Sequence, residues 1–386
     1  MNDRAEKIRN ILVPILSVIL GFILGAIIMA IFGYDPIAGY QTMFSTAFLD
    51  QSTGALNPKS IGEIFVSAGP LIFTALGFAV ASSAGFFNIG LSGQALCGWV
   101  ASMWVALAFG DLPRLVILPL AVIVGALAGA AAAAIPGLLR AFFGTSEVIV
   151  TIMLNYVFLY TGNYLANSVM GENLMSNKGV TQTLTKIGSN GSLRASWLSE
   201  LTNGSRLNLG IFLAFIFLVV VWFLMKKTTL GYEIRSVGLN PFASEYAGMS
   251  SKRTIVVSMV ISGALAGLGG VVLGLGTYEY FFTQSASLSI GFDGMAVSLL
   301  GGGSSIGILL SAILFSVLKL GGQGMQFAGI PTELVDVVIA SIIFFIAISY
   351  LIRFLLAKTS RNKKEVEIVT EIESKPDDES QEGGTL

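Results

Sequence analysis

Residues 226–253 read KKTTLGYEIRSVGLNPFASEYAGMSSKR and lie between two long apolar runs. Asn240-Pro241 joins an N-cap residue to a proline at the first helical position. Phe242, Ala243, Tyr246 and Ala247 fall on one side of the short helix this predicts, and Ser244 and Glu245 on the other. Gly248 is the natural stop. Lys226, Lys227, Arg235, Lys252 and Arg253 surround it. A two-turn amphipathic helix of this kind suits either lipid head groups or a groove on another protein. Its neighbours decide the fold, because almost everything around it is hydrophobic.

The chain has 386 residues, 54% hydrophobic and only 12% charged, where a soluble domain carries about 25% charged residues. It is an integral membrane protein of the all-α class. Crossing the hydrocarbon takes about 20 apolar residues, and runs at 11–32, 61–84, 94–109, 115–139, 147–170, 207–225, 254–276, 291–301, 305–320 and 333–356 give about ten transmembrane segments. The run 291–301 is too short to cross unaided. With 305–320 it predicts a broken or re-entrant pair around Gly301, Gly302 and Gly303, which is tolerated where protein or a watery cavity surrounds it. Gly263/Gly267 and Gly270/Gly274 have the small-residue spacing of close helix contacts.

Arg4, Lys7, Arg9, Arg140, the 226–253 cluster, Arg353, Lys358, Arg361, Lys363 and Lys364 fall on one side if both termini are cytoplasmic. The connection 33–60 and the loop 171–206 then face outside. Four basic residues in that loop, Lys178, Lys186, Arg194 and Arg206, run against the rule. Residues 1–10 are a cytoplasmic N-terminus, 11–357 the transmembrane domain and 358–386 an acidic tail expected to be disordered.

Several function classes are missing. There is no histidine, which removes the commonest general base and metal ligand. The single cysteine, Cys97, excludes an internal disulfide or a multi-cysteine metal site and reads as apolar filler. No GxxxxGK[ST] phosphate cradle occurs. No catalytic residue, metal site or nucleic-acid partner is expected. The span carboxylates Glu63, Glu147, Asp293, Glu333 and Asp336 lie near span ends, which argues against an ion-coupled carrier. Asp293 reads as a cap for the short helix at 291. The chain looks like a pathway without its own energy source.

Candidate pathway residues are the polar ones within spans. Glu147, Thr151 and Asn155 share one helical face, with Asn163 near that stripe two turns later. Amides bond a ligand or a neighbouring helix equally well, and Glu147 also suits the first turn of a helix. Asn88, Ser92 and Gln94 lie in a glycine-punctuated break, 85–93, of the kind that frees backbone groups for a ligand or makes an ordinary turn. This break and 291–303 interrupt matching halves of the chain, as in an internal repeat. The outer loop, with Trp197, suits docking of a partner or a mobile connection.

Three segments carry a resemblance. They are Gly85-Phe-Phe-Asn-Ile-Gly-Leu-Ser-Gly-Gln94, Ser146-Glu-Val-Ile-Val-Thr-Ile-Met-Leu-Asn-Tyr156 and Gly231-Tyr-Glu-Ile-Arg-Ser-Val-Gly-Leu-Asn-Pro-Phe-Ala-Ser-Glu-Tyr-Ala-Gly248. The chain resembles bacterial ABC-transporter permeases of the simple-sugar and nucleoside branch, and the second segment is more similar to the nucleoside type. It departs from them at Ser92, where relatives commonly carry glutamate. The resemblance implies a bacterial cell-membrane importer subunit. It implies a separate ABC ATPase that hydrolyses ATP, so this chain needs no cofactor of its own. It also implies a second permease, related or identical, and an extracellular substrate-binding lipoprotein. Arg235, Asn240, Pro241, Phe242, Glu245, Tyr246 and Gly248 then form the ATPase-coupling element. A sugar permease of the ribose type, a self-contained carrier or channel, and a scaffold without a pathway are the competing readings.

Overall fold

The computed structural model describes residues 3–50, 53–168, 174–177, 179–331 and 333–348. The acidic tail, the basic residues from Arg353 onward and the end of the last apolar run lie outside the described residues, as does Lys178. The chain is helical, as expected. Its helices are α1 (Asp3–Ile31), α2 (Pro36–Phe48), α3 (Pro58–Ser83), α4 (Leu91–Ala108), α5 (Arg114–Phe143), α6 (Glu147–Ser168), α7 (Ser196–Leu201), α8 (Gly210–Lys227), α9 (Thr229–Leu239), α10 (Pro241–Tyr246), α11 (Ser251–Val271), α12 (Ser289–Leu300), α13 (Ser305–Met325) and α14 (Glu333–Ala347). Among the described residues the one sheet is a short antiparallel hairpin, β1 (Met175–Asn177) with β2 (Val180–Thr181). Eight of the described helices are long and apolar enough to cross a membrane. The short α12 and the 15 described residues of α14 bring the total close to the expected ten.

Three helices, α2, α7 and α9, fall where connections were expected. Asp35 accepts the N–H groups of Ile37 and Ala38 and Pro36 opens α2, just as Asn57 and Pro58 open α3. Thr228 caps α9 by accepting the Gly231 N–H at 3.1 Å. Inside α2, Tyr40 donates its hydroxyl to the Phe22 carbonyl of α1 at 2.6 Å. Met43 and Thr46 of α2 lie against Gly321 and Gly324 of α13.

Mostly buried α3, α4 and α11 form the centre of the bundle. Glycine lets the backbones meet there. A Cβ on Gly129 of α5 would stand 2.3 Å from the Gly263 carbonyl oxygen. One on Gly98 of α4 would meet the Gly267 carbonyl at the same distance, and one on Gly270 would overlap the Ala95 carbonyl at 1.8 Å. The spaced glycines of α11 therefore make their contacts within this chain. The helix then widens into a π-helical turn, Val272–Tyr278, whose Gly274 lies against the Trp99 indole.

The bundle has two distinct ends. At one, Arg140 stands over the Phe86 ring and Lys252 over the Phe142 ring, at 5.8 and 5.7 Å, with α9 and α10 alongside. At the other lies the segment that reads as a mobile or docking loop, and it is tied down. Arg194 pairs with the buried Glu279 at 2.9 Å, and the Thr185 and Ser192 hydroxyls each donate to Glu279 at 2.6 Å. Arg206 pairs with Glu63 at 2.7 Å. This hydrogen bonding holds the Arg206 guanidinium above its ordinary value. Arg194 and Arg206, which run against the charge rule, are thus both neutralised locally.

The break predicted at 85–93 is present up to Gly90. Of the one predicted at 291–303, only the turn at Gly301–Gly303 is irregular, because 291–300 are helical; the second irregular segment lies before α12 instead. α4 starts at Leu91 after the irregular segment that follows α3, and α12 starts at Ser289 after an irregular segment from Glu279. The starts of the two helices touch, since Ser92 lies against Gly291. Thr74, about 24 Å along α3 at 1.5 Å per residue, donates to the Ile290 carbonyl at 3.0 Å. α12 therefore begins deep inside the bundle. It turns back into α13 through Gly302 and Gly303, which hold φ of +59° and +65°. Asp293 does not cap α12, whose N-cap position is Leu288 with no side-chain bond. Being in the second turn, it pairs instead with Lys319 of α13.

Candidate functional site: a braced helix break and an exposed handle

The break at 85–93 is built from reciprocal amides. Asn88 donates to Gln94 at 2.9 Å and to the Ser262 hydroxyl at 2.9 Å. Gln94 donates back to Asn88 at 3.1 Å, and the Gly90 N–H reaches the same Asn88 oxygen at 3.0 Å. From α6, Asn155 spans the break. Its Nδ2 donates to the Ile89 carbonyl at 2.9 Å, and its Oδ1 accepts the Gly93 N–H at 2.9 Å. A buried break exposes backbone groups that must find partners; Asn88 and Asn155 supply them, and Gln94 holds Asn88 in place.

The predicted stripe on α6 divides by partner. Thr151 is buried and donates to the Glu147 carbonyl at 2.7 Å. Glu147 lies in the first turn, 3.5 Å from Arg140. Asn163 pairs both amide atoms with the backbone of Gln284, at 2.8 and 2.9 Å. The stripe therefore holds the two irregular segments in place, one at Ile89–Gly93 and one at Gln284. Ser92 differs, because its buried hydroxyl makes no hydrogen bond among the described residues. Sequence reasoning missed Ser262, Lys319 and Glu279, and the stacked pair of Trp99 and Tyr278, 5.3 Å apart and 9° from parallel. Cys97 is half-buried and borders an apolar cavity with Val100, Ala128 and Phe158.

At the other feature, α10 has the expected ends. Asn240 accepts the Ala243 N–H at 3.1 Å, and Pro241 occupies the first turn. Gly248 takes φ +85°. The Gly248 N–H reaches the Glu245 carbonyl at 2.9 Å and the Met249 N–H the Ser244 carbonyl at 3.0 Å, the paired bonds of a Schellman stop. Its orientation is the reverse of a helix packed by its apolar side. Ser244 is 4% exposed, whereas Phe242 is 76% and Tyr246 96% exposed. Glu245 is exposed too, and Arg235 donates to the Gly231 carbonyl within α9 at 3.2 Å.

The handle is anchored to the break. Ser251 at the start of α11 donates to the Pro241 carbonyl at 2.9 Å. α9 lies on the end of α3 through Gly238, where an added Cβ would stand 2.1 Å from the Ser83 carbonyl oxygen. Contacts thus run from α10 through Ser251 to α11 and from α9 through Gly238 to Ser83 and Gly85, the first residue of the break.

Known proteins resemble this chain over most of its length. Residues 60–347 match the family described as branched-chain amino acid transport system / permease component. The chain is 54% identical over 358 residues to the nucleoside ABC transporter permease protein NupB of Lactococcus lactis, covering 93% of this chain and 96% of that protein. It is 43% identical over 357 residues to the guanosine ABC transporter permease protein NupP of Bacillus subtilis, covering 92% and 98%. To the glucose ABC transporter permease protein TsgB13 of Haloferax volcanii the figures are 30% over 344 residues, with 87% of each chain covered. No solved structure matches.

Proposed function

The chain belongs to the family of branched-chain amino acid transport system permease components, and from that membership we propose that it is the membrane-spanning subunit of an ATP-driven nucleoside importer. The observation that carries the mechanism is the exposed aromatic pair Phe242 and Tyr246 on a rigidly capped helix. Exposed aromatics of this kind anchor protein interfaces. A separate ABC ATPase seats them in a groove, and its closure on ATP displaces α10. α9 transmits the displacement through Gly238 to the 85–93 break, where α4 and α12 meet. A second permease, related or identical, completes the pathway, and an extracellular binding lipoprotein delivers substrate. ATP is bound and hydrolysed by the partner, and this chain contributes no catalytic group. Both termini and the handle face the cytoplasm of a bacterial cell, with the 171–206 loop outside. The basic residues near the handle support that orientation.

Identities of 54% and 43% to nucleoside and guanosine permeases, against 30% to a glucose permease, favour nucleosides. The glucose relative keeps a simple-sugar substrate as the second reading. The test is uptake into vesicles containing the assembled transporter, with labelled nucleoside competed by unlabelled nucleosides, ribose and glucose. Nucleoside uptake unaffected by either sugar is the expected result, and sugar uptake without nucleoside uptake overturns the reading. The purified chain alone should show no ATP hydrolysis.

A further inference from the structure

Lys319 is a charged residue inside an apolar helix, about 21 Å along α13 from Ser305 at 1.5 Å per residue. Its partner Asp293 lies in the second turn of α12, which starts deep in the bundle. An ionised pair at membrane depth is costly to desolvate. Apolar side chains would join α12 to α13 without that cost. The pair is also not sealed, since the Lys319 side chain is 32% exposed and that of Asp293 14%. Ser289 and Gln323, one helical turn from Asp293 and Lys319, are exposed, as is Phe292, next to Asp293 in sequence. A polar surface of this composition is unfavourable against lipid, so it faces either water or another protein. In a permease the pathway supplies such water, and a second permease would supply such a protein face.

We propose that Asp293 and Lys319, with Phe292 and Gln323 beside them, form the nucleoside-recognition contact of this pathway. The assignment rests on the nucleoside reading above and names its site. Asp293 accepts hydrogen bonds from the ribose hydroxyls, and Lys319 donates to an oxygen of the sugar or base. Gln323 offers both a donor and an acceptor, and Phe292 presents a ring face on which a base stacks. The acceptor and donor already hold each other, so the empty site carries no uncompensated charge. Substrate needs only to replace part of one ion pair.

The alternative is a clamp between α12 and α13, and charge reversal separates the two. In the assembled transporter, Asp293→Asn and Lys319→Met each lower nucleoside uptake about tenfold, equivalent to about 1.4 kcal/mol. The exchange of both charges, Asp293→Lys with Lys319→Asp, restores an ion pair and hence a clamp. The proposal expects it to assemble yet stay about tenfold below wild type. Recovery to within about twofold of wild type shows a clamp and overturns the proposal. Because these variants alter packed helices, Phe292→Ala and Gln323→Ala supply a second measurement on exposed side chains. Each is expected to raise the KM for nucleoside about fivefold without changing assembly. An unchanged KM in both overturns the site. Wild-type uptake is read in parallel. If the wild type takes up sugar and not nucleoside, the nucleoside reading has failed, whatever the variants do.

Discussion

Gly238 of α9 and Gly85 of the break touch through their backbones. A Cβ on Gly85 would stand 3.2 Å from the Gly238 carbonyl oxygen, and one on Gly238 would stand 3.0 Å from the Gly85 nitrogen and 2.1 Å from the Ser83 carbonyl oxygen. The obstructing atoms are backbone, so no rotamer change relieves them. Gly238→Ala should push α9 off the end of α3 at an overpacking cost of about 1–3 kcal/mol. In vesicles, ATP hydrolysed per nucleoside transported should rise. Unchanged coupling would mean that the force takes another route.

Phe242 and Tyr246 give the complementary case. They are almost fully exposed, so Phe242→Ser with Tyr246→Ser should leave the stability of the isolated chain within about 0.5 kcal/mol of wild type. Loss of two aromatic anchors should cost at least about 2 kcal/mol in ATPase binding. Co-purification of the ATPase and nucleoside uptake should both fall. Uptake that survives the double replacement sinks the handle.

Asn155 separates bracing from substrate contact. Asn155→Leu strands the Gly93 N–H and the Ile89 carbonyl, each a buried group that costs about 1–3 kcal/mol when unpaired. The melting temperature of the detergent-purified chain should drop, and uptake with it. Asn155→Asp keeps an acceptor for Gly93 and loses the donor to Ile89, so it should fall between the two. A normal melting temperature with lost uptake would instead make Asn155 a substrate contact.

How legible these features were depended on how local their causes are. The start and stop of α10 follow from Asn240, Pro241 and Gly248 alone, and the sequence was sufficient for them. Asp35-Pro36 carries the same signal for α2, but thirteen residues of mixed polarity between spans read as a connection. The orientation of α10 was hidden because the burial of Ser244 depends on neighbouring helices and not on the period of the segment. Lys319 shows the same limit more sharply. Its partner lies 26 residues away on another helix, and no spacing rule within one helix links them. Asn155 was identified as important, but its bonds across 62 and 66 residues to Gly93 and Ile89 could be seen only once the break was folded.

The two ion pairs at the loop end differ in burial, and the difference predicts unequal effects. Glu279 is 3% exposed and takes a left-handed φ of +64°. Besides Arg194 it holds Thr185 and Ser192, so three side chains of the loop converge on one carboxylate. Arg194→Ala leaves that carboxylate buried without its counter-charge, a change that typically costs about 3–5 kcal/mol. The pair between Arg206 and Glu63 is more open, with half of the arginine side chain exposed. A pair of that exposure contributes about 0–1 kcal/mol, although the Arg206 backbone N–H also reaches Glu63 at 2.8 Å and survives substitution. Limited proteolysis of residues 174–209 should therefore accelerate strongly in Arg194→Ala and only slightly in Arg206→Ala. Glu279→Gln should resemble Arg194→Ala less than its loss of charge suggests, because the amide oxygen still accepts from the two hydroxyls. Equal protease sensitivity in the two arginine variants would show that Glu279 is not the post to which the loop is tied.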